Sequence, residues 1–146
     1  MNFFSAIDTS ATGLTAERLR MDVISNNIAN VNTTRTESGA PFRRELVIFQ
    51  ARKPHGNWSY TERQNYKEPG KGVRATAIME DMAPFKLVYD PNHPDADKDG
   101  YVRFPNINIV HEMVDMITAT RAYEANVTCI NSAKDMINSA LGIGRR

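Results

Sequence analysis

The chain has 146 residues, 41% of them hydrophobic and 24% charged, with 18 basic against 17 acidic side chains. That length fits one ordinary domain or two very small ones and excludes a large multidomain enzyme, while the balance is that of a folded chain rather than a disordered one. A net charge of +1 gives no case for nucleic acid, and no apolar run approaches the roughly 18 residues of a membrane span.

The even charge hides an uneven distribution. Residues 1–32 carry −1, residues 33–75 carry +5, residues 76–100 carry −4 and residues 101–146 carry +1. Two solvated faces of opposite sign, or complementary docking between neighbouring copies, would each explain this. The first residues, Met1 to Asp8, lack the basic region of a secretory signal, so by this criterion alone the chain reads as cytosolic. Cys129 is the single cysteine, which leaves no internal disulfide or thiolate cluster and suggests a small buried hydrophobe.

The first element is a long helix. Phe4, Ile7, Ala11, Leu14, Met21, Ile24, Ile28 and Val31 follow steps of three and four, broken only where Arg18 takes the stripe position. Ile7, Leu14, Met21 and Ile28 are each seven apart, the period of a coiled-coil seam. At its end Ser25 to Thr33 gathers four asparagines (26, 27, 30 and 32), poor helix formers whose amides can satisfy freed backbone groups and neighbouring subunits without adding charge.

Between positions 36 and 105 the period changes to two, predicting a small antiparallel β region. Glu45 to Gln50, Val73 to Glu80 and Phe85 to Tyr89 alternate as strands, and Tyr101 to Phe104 adds a short fourth. Pro54 to Gly72 is polar and reads as a long loop or insert around Trp58, Tyr60 and Tyr66. Asp95, Asp97, Asp99 and Gly100 match the opening of an EF-hand loop, but its ninth and twelfth positions are Arg103 and Asn106, so an acidic turn is the better reading. His55, His93 and His111 lack metal-ligand spacing, and no nucleophile signature occurs. No catalytic, metal or cofactor site is expected.

The last element is a second long helix. Pro105 and Asn108 mark its start, Gly142 and Gly144 its end. Met116, Ala119, Tyr123, Ile130, Ala133, Ile137 and Ala140 form its stripe, with Asn126 inside it and Val127 and Leu141 beside it. Ile109, Val110, Met113, Val114 and Ile117 widen the apolar arc over the first turns. At 1.5 Å per residue the two helices run ~40 and ~50 Å, at least the ~40 Å diameter of a compact globule of this size. They can pair as a parallel or antiparallel hairpin covering one stripe each. The wide arc is then left over, which favours an elongated protein that packs into an assembly.

Ser25-Asn26-Asn27-Ile28-Ala29-Asn30 resembles the N-terminal signature of the bacterial flagellar axial proteins, the rod, hook and hook-associated family, and Glu112 to Asn126 resembles their C-terminal one. Ile28 to Arg35 and Gly100 to Asn106 look like the proximal-rod members in particular. The pattern departs where Gly39 and Phe42 follow only after Thr33 to Ser38, and where Thr120 stands in place of the Gln usual in hook-type relatives.

The resemblance implies an α+β fold: long N- and C-terminal helices as a coiled-coil-like pair, with the β region inserted between them. The divisions are 1–35 (N-terminal axial helix), 36–105 (β region, insert at about 54–72) and 106–146 (C-terminal axial helix). It implies a structural, non-enzymatic subunit of the basal-body proximal rod, the drive shaft that carries motor torque to the hook. Expected partners are other copies, neighbouring proximal and distal rod proteins, basal-body ring and export-gate components, and the flagellar type III export apparatus. Neither nucleic acid nor membrane insertion is expected, nor any cofactor. Because such substrates are exported without a cleaved signal, the resemblance moves the expected location from cytosol to the periplasmic rod. The subunit contacts are expected on Phe4, Ile7, Ala11, Leu14, Met21, Ile24, Asn26, Asn27, Ile28, Asn30 and Val31, and on Met113, Met116, Ile117, Arg121, Tyr123, Asn126, Val127, Ile130 and Ile137. The helices are expected to stay loose until assembly. The competing reading is a soluble coiled-coil adaptor presenting the small β domain to a partner.

Overall fold

Helix α1 spans Phe3–Ala29 and helix α2 Ile109–Ile143. The computed structural model describes residues 3–52 and 71–143. α1 ends among its asparagines: Asn30 Nδ2 donates to the Asn26 carbonyl at 3.0 Å, and the Thr33 hydroxyl donates to Asn30 Oδ1 at 3.2 Å. A side-chain amide thus serves a carbonyl near the helix end, as the asparagine run suggests. α2 starts where expected, with Asn108 Oδ1 accepting the Val110 N–H at 3.1 Å as an N-cap. It continues through Gly142 to Ile143; Gly144 lies outside the described residues.

The helices pair antiparallel. Asn27 meets Glu112, Arg20 meets Asp115, Met21 meets Thr120 and Gly13 meets Asn126. A Cβ at Gly13 would stand 2.9 Å from Asn126 Nδ2, so the missing side chain is what admits the amide. On α2 the covered face is the expected stripe: Ala119 and Ala133 are buried and Met116, Tyr123, Ile130 and Ile137 half-buried, with Ala140 exposed.

On α1 the covered face differs from expectation. Ser10, Ala16, Val23, Ile24 and Asn27 are buried, whereas Ile7, Leu14, Met21 and Ile28 flank them half-covered, and Phe4 and Ala11 are exposed. The face is displaced by about a quarter-turn, or roughly one residue. The cause is size: small side chains at 10, 13 and 16 allow close approach to α2, and the larger apolar residues ride on the rim.

Strand β1 (Glu45–Ala51) pairs antiparallel with β2 (Val73–Glu80), from Glu45↔Glu80 to Ala51↔Val73. Ile48 faces Ala77 and Phe49 faces Ala75, so Thr76 is the extra residue of a bulge, its hydroxyl donating to the Ile48 carbonyl at 3.1 Å. This ribbon lies along α1. Glu45 sits at Asn27, and the Val73 N–H donates to Thr12 Oγ1 at 3.1 Å. The match is one of length, since seven strand residues cover ~23 Å and the helix from Thr12 to Asn27 rises ~22 Å. Gly72 makes the approach with φ +95°, where an added Cβ would collide with the Thr12 hydroxyl.

β3 (Lys86–Tyr89) and β4 (Tyr101–Phe104) form a separate antiparallel ribbon, with Val88 opposite Val102 and Tyr89 opposite Tyr101. Among the described residues the β region is therefore two two-stranded sheets. β3 begins one residue later than predicted, because Phe85 lies under the Arg43 guanidinium, 4.3 Å from its ring centroid. Val102, Pro105 and Ile107 are buried as the chain enters α2, and Lys86 Nζ donates to the Ile107 carbonyl at 2.7 Å. Most of the predicted 54–72 insert, with His55 and its three aromatic residues, lies outside the described residues. Cys129, expected to be buried, is exposed on α2; the small-residue stripe that meets α1 does not include it.

Candidate assembly site

Two features organise the molecule, a buried polar node and a set of uncovered apolar surfaces. The node forms where the end of α1, the start of β1 and the first turns of α2 meet. Asn27 Nδ2 donates to the Glu45 carbonyl (2.9 Å) and to Glu112 Oε2 (3.1 Å), while Asn27 Oδ1 accepts the Glu45 N–H (2.9 Å). The amide thus substitutes for a neighbouring strand at the first residue of β1. Glu112 is wholly buried, its other oxygen taken by Arg44 Nε. Arg44 NH2 reaches Asp115 at 3.3 Å, and Asp115 also pairs with Arg20 of α1 at 3.4 Å.

The backbone of Arg44 is held as well. Its N–H donates to Asn106 Oδ1 at 3.0 Å, and its carbonyl accepts the Asp81 N–H at 2.7 Å. Asn106 Nδ2 in turn donates to the Asp81 carbonyl at 3.1 Å. Sequence periodicity passed over Arg44, Glu112, Asp115 and Arg20 because none is apolar. The signal that could have found them is charge at a helix start: two acids three residues apart, with an arginine just ahead of a strand to meet them.

The predicted contact residues divide in three. Ile24 and Asn27 are buried inside the chain, as follows from the displaced face of α1 and from the node. Ile7, Leu14, Met21, Ile28, Asn30 and Val31 on the N-terminal side, with Met116, Tyr123, Asn126, Val127, Ile130 and Ile137 on α2, are half-covered by the hairpin. Phe4, Ala11, Asn26, Met113, Ile117 and Arg121 are exposed. With Met113 and Ile117, the exposed Ile109, Val110 and Val114 complete an uncovered apolar arc over two turns of α2, where Met113 keeps 54% and Val110 67% of its surface. No helix among the described residues is long and apolar enough to cross a membrane.

The acidic turn has its side chains directed to separate partners. Asp95 accepts from Thr34 Oγ1 at 2.8 Å and faces Arg35 at 3.9 Å, and Asp97 pairs with Arg103 at 3.6 Å. Gly100, at φ +78°, closes the turn by donating its N–H to the Asp97 carbonyl at 2.8 Å. His93 is part of this structure, its Nδ1 accepting the Asp95 N–H at 3.1 Å. Among the described residues no three His, Cys, Asp or Glu side chains converge as metal ligands.

Comparison with known proteins agrees with this layout. Residues 7–35 match the family described as flagella basal body rod protein, and residues 98–143 match the C-terminal family described as flagellar basal body rod FlgEFG protein. The chain is similar over nearly its whole length to proteins named flagellar basal-body rod protein FlgC. It is 54% identical to that of Borreliella burgdorferi, over 98% of each chain. It is 42% identical to that of Bacillus subtilis (99% of this chain, 100% of the relative) and 33% identical to that of Salmonella typhimurium, with the same coverage.

Proposed function

The chain belongs to the FlgC family of flagellar basal-body rod proteins, and on that premise we propose how a structural rod subunit of this shape assembles. The helices α1 and α2 are the axial part, and the residues between them flank it. The observation that carries this reading is the apolar arc of Ile109, Val110, Met113, Val114 and Ile117, which the hairpin leaves uncovered. A contiguous apolar arc of this kind marks a surface that another chain covers.

Burial of the arc, with the half-covered rim of Ile7, Leu14, Met21 and Ile28, against neighbouring subunits supplies the driving force, at about 25 cal/mol per Å² of apolar area. The surplus over association costs decides affinity, so area alone does not set it. The subunit has no enzymatic role; it belongs to the proximal rod, contacts copies of itself and the rod proteins on either side, and passes torque from motor to hook. Basal-body ring and export-gate components complete its surroundings in the periplasm, which it reaches through the flagellar type III apparatus without a cleaved signal. A soluble adaptor presenting the β region is not favoured.

Complementation of a flagellated strain lacking its own copy tests this. Ile117→Asp places a charge in the exposed arc, and the expected result is a folded, expressed protein with no rod beyond the proximal step and no swimming. Normal swimming would contradict the assignment of the arc to assembly.

A further inference from the structure

The seam between α1 and α2 is short of features that fix its register. Among the described residues its buried positions are mostly small or polar: Ser10, Ala16 and Asn27 on α1, Glu112, Ala119 and Ala133 on α2, with Val23 and Ile24 the larger apolar ones. Small side chains at helical spacing leave shallow ridges, so sliding one helix past the other by a turn, ~5.4 Å, loses little packing. Hydrophobic complementarity therefore does not select one alignment by itself.

We propose that Asn27, Arg44, Glu112, Asp115 and Arg20 form a two-pin register lock that selects a single alignment of the hairpin against the β1–β2 ribbon. Glu112 and Asp115 are two pins one turn apart on α2. The first engages Arg44 and Asn27, the second Arg44 and Arg20. A one-turn slip in one direction would bring Asp115 to the place of Glu112 and leave Arg20 facing Thr118 in place of a carboxylate. A slip in the other direction would carry Glu112 to the place of Asp115 and set the apolar Ile109 against Asn27 and Arg44 Nε. Either slip keeps one carboxylate engaged where this alignment engages two, and the slip that empties the wholly buried site of Glu112 leaves Asn27 and Arg44 short of a buried partner. Fixing register is the best-attested use of such buried polar groups.

The ribbon is part of the lock because Arg44 and Glu45 open β1, and Asn27 bonds both the N–H and the carbonyl of Glu45. The height of the ribbon along α1 and the height of the α2 arc beside it are thus set by one cluster. These are positioning residues, and the inference rests on this geometry independently of the rod assignment.

Distance measurement on the full-length purified chain tests it. Spin labels at Ser25→Cys and Asn131→Cys, in a Cys129→Ser background, sit on exposed positions of α1 and α2, separated along the axis by ~25 Å because Asn131 lies five residues past the partner of Gly13. The parent chain is expected to give one narrow distance distribution. The double variant Glu112→Leu/Arg44→Met keeps volume and removes the Arg44–Glu112 pair with the bonds of Glu112 to Asn27 and of Arg44 to Asp115. It is expected to retain its helical signal while its distribution splits, with a second population shifted by about 5 Å, one helical turn. Arg20→Met, which removes one of the two partners of the second pin, is expected to show a smaller second population. A double variant that keeps the single narrow distance would overturn the lock. So would a double variant that loses its helices, since the cluster would then supply stability rather than register, and so would a parent chain already spread over several distances.

Discussion

Asn27 uses both ends of its amide in three hydrogen bonds, one of them to the wholly buried Glu112. Replacement by alanine leaves the Glu45 N–H and carbonyl and one Glu112 oxygen short of a partner, each worth roughly 1–3 kcal/mol when buried. Partial rescue by water or relaxation brings the expected loss for Asn27→Ala to about 3 kcal/mol in a urea titration; a change under about 0.5 kcal/mol, the range of ordinary surface positions, would contradict the role. Gly72→Ala is expected to destabilise as well, because its left-handed backbone disfavours any side chain and the new Cβ meets the Thr12 hydroxyl. An unchanged melting temperature would show that the ribbon does not depend on that approach. The asparagine run was visible in the sequence as an unusual helix end, and its use for freed backbone groups was foreseeable. That Asn27 faces inward was not, because amide chemistry looks the same toward a neighbouring subunit as toward a strand of the same chain.

The elements were legible where periodicity is strong. Both helices, the first two strands and the Asn108 cap lie where spacing and capping chemistry put them. The rotational setting of α1 was not legible, since a hydrophobic stripe reports the face that is eventually covered, whereas the intramolecular seam is chosen by close approach of Ser10, Gly13 and Ala16. The division of the β region into two ribbons depends on long-range contacts, one ribbon lying along α1 and the other ahead of α2, and no local signal encodes that. The rim residues left half-covered give a test at this scale. Ile28→Asp is expected to leave the isolated chain folded, at a cost of about 1 kcal/mol, and to stop rod assembly in a complementation assay. Wild-type swimming with Ile28→Asp would remove the rim from the assembly surface.

At the scale of the molecule, the length argument separates what one chain can cover from what it leaves open. Two helices of ~40 and ~52 Å pair along one face, and the α2 arc lies on another face of the same turns that meet the end of α1. The sequence suggested helices that stay loose until assembly; we propose instead that the node, in which the wholly buried Glu112 bonds Asn27 and Arg44, already holds the end of α1 to the start of α2 in the free chain. In hydrogen exchange on the purified chain, amides of Val23 to Asn27 and of Met116 to Thr120 are expected to be the slowest of their helices, while Phe4 to Ser10 and residues 137–143 exchange early. Uniformly fast exchange over both helices would restore the loose-until-assembled description. The opposite charges of residues 33–75 and 76–100 are partly settled within the chain, where Arg35 and Arg103 face Asp95 and Asp97, so the bipolar composition is a weaker guide to docking than the apolar arc.

The central claim is that the hairpin of α1 and α2 is the part of the subunit that neighbours cover. A density map of purified basal bodies containing this chain tests it most directly. The account predicts Met113, Val114 and Ile117 buried against adjacent subunits, with the two β ribbons toward the periphery of the rod; a map in which the α2 arc faces solvent and the ribbons make the subunit contacts would contradict it.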